Sequence, residues 1–223
     1  MKKWIKKGVV MVERFLKFFA GVLLLTGIFL ALEYSPPFYD SDGKYLGEAF
    51  RIFFMHVPAA WNSFLCFLAA FVAGIGYLIN RKPSWDIFVA SCLEVGWVLA
   101  CLVIVSGPIW ARAAWGAYWT WEPRLTSFLV LWLVYLAGLI LRGSIEDRET
   151  RARFTAAYAV LAFATVPIVV LSIHLWGAKN HPKPGPDFFG DPRIRATLFF
   201  NTFAFLAATV YLVGKRMKLE RSR

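Results

Sequence analysis

Leu129–Leu141 reads LVLWLVYLAGLIL, an uncharged run in which apolar positions do not alternate with polar ones. A strand of a membrane barrel would alternate over about ten residues. Lipid offers no hydrogen-bond partner to an exposed backbone, so a spanning segment is a helix or part of a closed barrel. Without alternation the run reads as a helix. Outward from it, five more runs share its character. The six apolar segments are Phe15–Leu32, Phe53–Ile79, Ile87–Trp110, Leu125–Leu141, Phe154–Trp176 and Ala196–Gly214. Each can cross a hydrocarbon core of about 30 Å at about 1.5 Å per residue, some of them tilted. The expected fold class is all-α: a polytopic membrane helix bundle with six transmembrane helices, residues 1–223 forming a single membrane domain.

Composition agrees. Of 223 residues, 59% are hydrophobic and 17% charged, and the mean hydropathy is +0.56. A soluble domain is about half apolar and a quarter charged. Disordered chains, collagens, disulfide scaffolds and ordinary soluble α/β enzymes are excluded. Cys66, Cys92 and Cys101 all fall inside apolar runs, and neither CxxC nor CxxCH occurs. They read as small buried hydrophobes, not as redox or c-type haem attachment sites. GxxxxGK[ST], HExxH and GxSxG are also missing, so ATP hydrolysis by this chain itself is not expected.

The net charge is +11. In a soluble protein that would suggest nucleic acid, but the basic residues gather in the tails, with Lys2, Lys3, Lys6, Lys7 and Arg14 at one end and Lys215, Arg216, Lys218, Arg221 and Arg223 at the other. Lys17 can snorkel from the first span. No small-residue cleavage site follows that span, where the chain reads LALEYSPP, so it is expected to be a retained helix. With the N-terminus inside, inner segments hold sixteen Lys and Arg. The outer loops hold eight: Lys44, Arg51, Arg112, Arg124, Lys179, Lys183, Arg193 and Arg195. This bias places both termini in the cytoplasm. The outer loops are the longer ones and are rich in Trp, Pro and Gly, so chemistry is expected there.

The densest anomaly is the outer segment 110–124, WARAAWGAYWTWEPR, which holds four of the ten tryptophans. Trp115, Tyr118, Trp119 and Trp121 place four rings within seven residues, beside Gly116 and Pro123. An interfacial belt would scatter its rings. Clustered rings suit a large planar apolar ligand, Gly116 permits close approach, and Arg124 can meet a carboxylate. The three histidines, His56, His174 and His181, fall on the same outer side. His56 precedes Pro58, expected in a first helical turn. Two imidazoles facing one cavity can ligate haem iron from both sides. Zinc would want three or four converging ligands, often Cys. Arg51 reads either as an interfacial anchor or as a partner for an anionic group such as a haem propionate. Glu94 is the one carboxylate in the middle of a span, and reads as paired, protonated or functional.

The strings FFMHVPAAW (53–61) and WGAYWTWEPRLTS (115–127) resemble the CcmC family, haem-handling membrane proteins of cytochrome c maturation with a tryptophan-rich outer loop. The resemblance covers nearly the whole chain and implies six spans with both ends inside. It implies haem b held at the outer face of the cytoplasmic (inner) membrane and passed to a membrane-anchored haem chaperone, CcmE. It also implies an ABC-type complex with CcmA and CcmB, and the small protein CcmD. Such a protein delivers haem and is not an enzyme in the strict sense. On this sequence His56 matches the first iron ligand, and Arg51 a basic residue before it. Trp115, Gly116, Trp119, Trp121, Pro123 and Arg124 match the loop. Two positions depart from the pattern without changing the chemistry: Glu122 stands where the family usually has Asp, and Tyr118 where it often has Trp. For the second ligand, SIHLWGAKNHP offers His181, followed by Pro182, with one extra residue in the spacing. His174 is the alternative.

A small-solute transporter subunit with Glu94 as its coupling residue is the rival reading. A b-type cytochrome would want histidine pairs deep in its helices, and a purely structural scaffold would leave the clustered rings without a role.

Overall fold

The computed structural model describes residues 2–38, 45, 47–177, 181 and 190–222, with side chains from residue 11 onward. Lys44, Lys179, Pro182, Lys183 and Arg223, and the side chains of Lys2, Lys3, Lys6 and Lys7, lie outside the described residues. Helix α1 (Lys2–Phe29) runs into a π-helical turn, Leu30–Tyr34, and a short 3-10 segment, Glu48–Ile52, leads into α2 (Phe53–Asn80). The chain continues as α3 (Pro83–Trp115), α4 (Pro123–Ser144), α5 (Arg148–Ala162), α6 (Thr165–Trp176) and α7 (Pro192–Arg221). Among the described residues no strand forms. Six helical stretches are long and apolar enough to cross a membrane, α5 and α6 together making one of them. The protein is thus an all-α, multi-pass membrane bundle of six spans, as the apolar runs require.

Three local features differ from the sequence reading. The fifth span is broken after Ala162. Pro167 cannot donate to the Phe163 carbonyl and its ring crowds it, so the chain turns at Phe163–Ala164 before α6 resumes. Pro58 lies inside α2, not in its first turn, because that helix already begins at Phe53. The tryptophan-rich segment is helical through Trp115 and irregular only from Gly116 to Glu122. Gly116 ends α3 in the left-handed region, at φ 76°, with its N–H on the Arg112 carbonyl at 3.0 Å.

Lipid tails are as apolar as leucine, so burial alone does not drive these helices together. Close backbone approach and interhelical hydrogen bonds do. The most enclosed span is α3 and the least enclosed is α1. Small residues let α2 and α3 meet: Ala70, Ala73, Ala90 and Ala100 are buried between larger side chains. The Phe67 and Tyr135 rings stack at 3.5 Å and 7°. Polar ties cross between helices: Asn201 Nδ2 donates to the Gly27 carbonyl at 3.1 Å, Asn62 Nδ2 to Thr202 at 3.3 Å and Tyr158 Oη to Val134 at 2.8 Å. At the start of α5, Asp147 caps the helix by accepting the Thr150 N–H at 2.7 Å, and its bonds to Thr150 hold its carboxyl below the ordinary value.

Gly96 marks a tight point between α2 and α3. A methyl there would lie 2.8 Å from Cys66 Cβ and from Phe67 Cε1, both buried. Gly96→Ala is therefore expected to cost about 1–3 kcal/mol by overpacking. Gly143→Ala faces open space and should leave stability unchanged or slightly raised. Thermal unfolding of the two variants in detergent reads the difference, and equal midpoints would contradict this packing.

Candidate functional site

Helix α2 carries His56, Val57, Ala60, Trp61 and Phe64 at steps of one, four, five and eight, which share one face at 3.6 residues per turn. The end of α3 presents Val103, Ile104, Gly107, Pro108 and Ala111 on a matching face, and Trp110 and Trp115 close its last turns. These two faces, with Arg124, Leu125 and Phe128 of α4, Val169 of α6, Trp119 and His181, line one pocket. It encloses about 770 Å³ of non-atom space, its open mouth included. The two imidazoles predicted to work together therefore share a pocket, although 125 positions separate them in sequence.

The aromatic wall is built edge to face. Trp110 meets Trp115 at 5.0 Å and 82°, and Trp115 meets the His181 ring at 6.4 Å and 58°. Phe50 backs Trp110 at 5.6 Å. Trp119 meets Trp121 at 5.8 Å and 81°. The indole Nε1 atoms of Trp110 and Trp119 are buried and have no hydrogen-bond partner among the described residues, although such donors are normally satisfied when buried. Among the described residues no carboxylate pairs with the Arg124 guanidinium. No cluster of three or more His, Cys, Asp or Glu suited to a metal ion occurs there either, which leaves a tetrahedral zinc site without its ligands. An apolar, ring-walled cavity with two imidazoles, two idle indole donors and a free guanidinium suits a flat metal-bearing ligand with an acidic edge.

Glu122 is buried, and its Oε2 accepts the His181 N–H at 3.2 Å. Glu122 is the N-cap residue of α4, but its side chain makes no capping bond there; instead the carboxylate fastens His181 to the tryptophan-rich turn. Trp121, just before it, is held at φ 52°, a left-handed conformation that is rare for a bulky residue and concentrates at functional sites. The Trp121 side chain itself is exposed, as is Tyr118, over whose ring the Arg112 guanidinium sits at 5.6 Å. Neither lines the pocket, and Gly116 shapes the turn from outside it. His174 is exposed and outside the pocket. Arg51 is also outside: its guanidinium donates to the Ala31 carbonyl at 2.5 Å and the Ser35 carbonyl at 3.2 Å, and pairs with Glu48. It ties the end of the first span to the entry of α2.

Glu94 pairs with Arg216 of α7, whose guanidinium also meets Glu220 at 2.8 Å. Read from sequence, Arg216 belonged to a lipid-facing tail. Sequence reasoning also passed over Trp61, Phe64, Ser106, Gly107 and Phe128. The signal for the α2 pair was present, since they continue the His56 face by one and two turns.

Fold and pocket together define a multi-pass helical membrane protein that presents a bis-histidine, tryptophan-walled pocket at one end of its bundle. The family model described as heme exporter protein C matches residues 3–223, and the chain belongs to that family. It is 30% identical over 219 residues to a heme exporter protein C of Bradyrhizobium diazoefficiens, covering 94% of this chain and 83% of the relative. It is 29% identical over 201 residues to the heme exporter protein C of Escherichia coli K12, covering 89% and 80%. A putative cytochrome c biosynthesis ccmC-like mitochondrial protein of Marchantia polymorpha is 26% identical over 202 residues, covering 91% and 83%.

Proposed function

We propose that this protein handles haem in cytochrome c maturation: it holds haem b in the His56–His181 pocket and delivers it to a membrane-anchored haem chaperone, CcmE. The observation that carries the reading is the convergence of His56 and His181 on one aromatic pocket. Imidazoles from α2 and from the segment after α6 would take the two axial positions of the iron, and Trp115 and Trp119 would face the porphyrin. Arg124 is the propionate partner we assign. Arg51 would first have to leave the Ala31 and Ser35 carbonyls. The sixteen-to-eight bias in Lys and Arg supports a pocket on the outer face of the inner membrane, with both termini cytoplasmic and the whole chain acting as one membrane domain. CcmA, CcmB and CcmD are the partners this role implies. The role is binding and hand-over, not catalysis. A solute transporter would want Glu94 available as a coupling group, whereas its carboxylate is committed to Arg216.

Transfer is the direct test. The purified protein loaded with hemin in detergent should show a low-spin absorption spectrum. Mixed with CcmE, it should lose that spectrum as haem appears on the chaperone. A protein that takes up no hemin, or keeps it in the presence of CcmE, would contradict the proposal.

A further inference from the structure

Two α3 residues, Ser106 and Gly107, face the His56 ring one turn before Trp110. His56 Nδ1 lies 2.9 Å from Ser106 Oγ, and that hydroxyl lies 2.6 Å from the Leu102 carbonyl four residues back. Together the two contacts fix the protons. Oxygens 2.6 Å apart repel unless a hydrogen lies between them, and a carbonyl has none to give. The Ser106 hydrogen therefore points to Leu102. Toward His56 the hydroxyl offers only lone pairs, so the proton in that contact sits on Nδ1. A neutral imidazole carries one N–H, which leaves Nε2 with a bare lone pair. Gly107 completes the seat: a methyl there would lie 3.3 Å from His56 Cε1, close enough that the ring would have to give by a few tenths of an ångström, so the bare backbone lets the Nδ1–Cε1 edge rest against α3.

We infer that Ser106 is a positioning residue for His56: it accepts the Nδ1 proton, sets the ring plane, and makes Nε2 the nitrogen available to iron. The inference rests on the reading of His56 as a haem ligand. Hydrogen bonds to the far nitrogen of a ligating histidine fix its tautomer and raise its basicity, and their loss typically costs about 10–100-fold in affinity. A more basic imidazole favours ferric iron, so the bond also holds the reduction potential down.

Two readouts separate this inference from the function it deepens. The first needs no haem. The chain has three histidines, so 15N-histidine spectra of the purified protein resolve each tautomer. His56 should be protonated on Nδ1 in the unaltered protein. In Ser106→Ala it should shift to the Nε2-protonated form that free histidine prefers. The second is hemin titration with redox potentiometry. Ser106→Ala should bind hemin roughly tenfold more weakly, with a more positive midpoint potential. Ser106→Thr keeps a hydroxyl able to reach the carbonyl four residues back and should match the unaltered protein in both. Circular dichroism and gel filtration confirm that the variants are folded. An Nε2-protonated His56 in the unaltered protein would overturn the inference. So would a Ser106→Ala protein with unchanged affinity and potential, or a Ser106→Thr protein that behaves like the alanine variant. If His56→Ala binds hemin normally, the ligand reading fails. If His56→Ala loses hemin while Ser106→Ala does not change, the positioning role alone fails.

Discussion

Alanine at both His56 and His181 is expected to abolish the low-spin haem spectrum and to stop c-type cytochrome formation in a host that depends on this protein. The two rings come from different parts of the chain and line one pocket, so in the proposed function each would supply one ligand to the iron. Losing both removes every imidazole that lines it. Even outer hydrogen-bonding partners of a metal ligand are worth about 10–100-fold in affinity, so loss of both ligands should exceed 100-fold. Each single variant should keep some hemin, held by the aromatic walls and Arg124, with a spectrum shifted toward the high-spin form. His174→Ala is the contrast: that residue is exposed and outside the pocket, and its variant should keep the low-spin bands unchanged. Absorption spectra of the four purified variants after hemin addition decide the matter. A double variant with intact low-spin bands would remove the two rings from the site.

The parts of this architecture that were legible in the sequence share one property: they are set by residue type along the chain. Six helices follow from uncharged runs such as Leu129–Leu141, and the pocket-bearing end was signalled by rare residues gathered near span ends: His56 in the first turn of α2, Trp115 in the last turn of α3, and Trp119 and His181 beyond the helices. What was not legible depends on how each helix is rotated about its axis. In water an amphipathic stripe shows which side turns inward. In a bilayer the lipid-facing and helix-facing sides are both apolar, so the stripe fades. Glu94 could be flagged as unusual, but its partner Arg216 lies 122 residues away and read as part of a tail. Arg51 was assigned by offset alone, and geometry gives its donors to the Ala31 and Ser35 carbonyls. The break before α6 had a visible cause in Pro167, overlooked because the apolar run continues across it.

Arg142 carries the largest expected loss of stability. In the sequence it counts only among the sixteen Lys and Arg of the inner segments, yet it is buried in the last turn of α4. Its guanidinium grips Asp86 with both arms, at 2.7 and 3.2 Å, and also donates to Thr155 at 2.9 Å and Glu220 at 3.0 Å. One planar cation thus joins α3, α4, α5 and α7, and through Glu220 and Arg216 the network reaches Glu94. The side chains of Arg142, Asp86 and Glu220 are 8%, 9% and 11% exposed, so removing the cation strands the Asp86 carboxylate away from water and leaves Glu220 with Arg216 alone. Breaking a buried pair from one side typically costs about 3–5 kcal/mol, and Arg142→Met should fall in that range by denaturant or thermal unfolding in detergent. Arg142→Lys should recover only part of the loss, because a point charge cannot hold both Asp86 oxygens and Glu220 in the same geometry. If stranded charge is the cause, Asp86→Asn should be milder in the Arg142→Met background than the sum of the single effects, a coupling that a double-mutant cycle measures directly. The network involves the opposite ends of α3 and α4 from the pocket, so below its melting temperature Arg142→Met should still bind hemin with nearly unchanged affinity. A variant that melts with the unaltered protein would show that the buried cation contributes little to holding the four helices together.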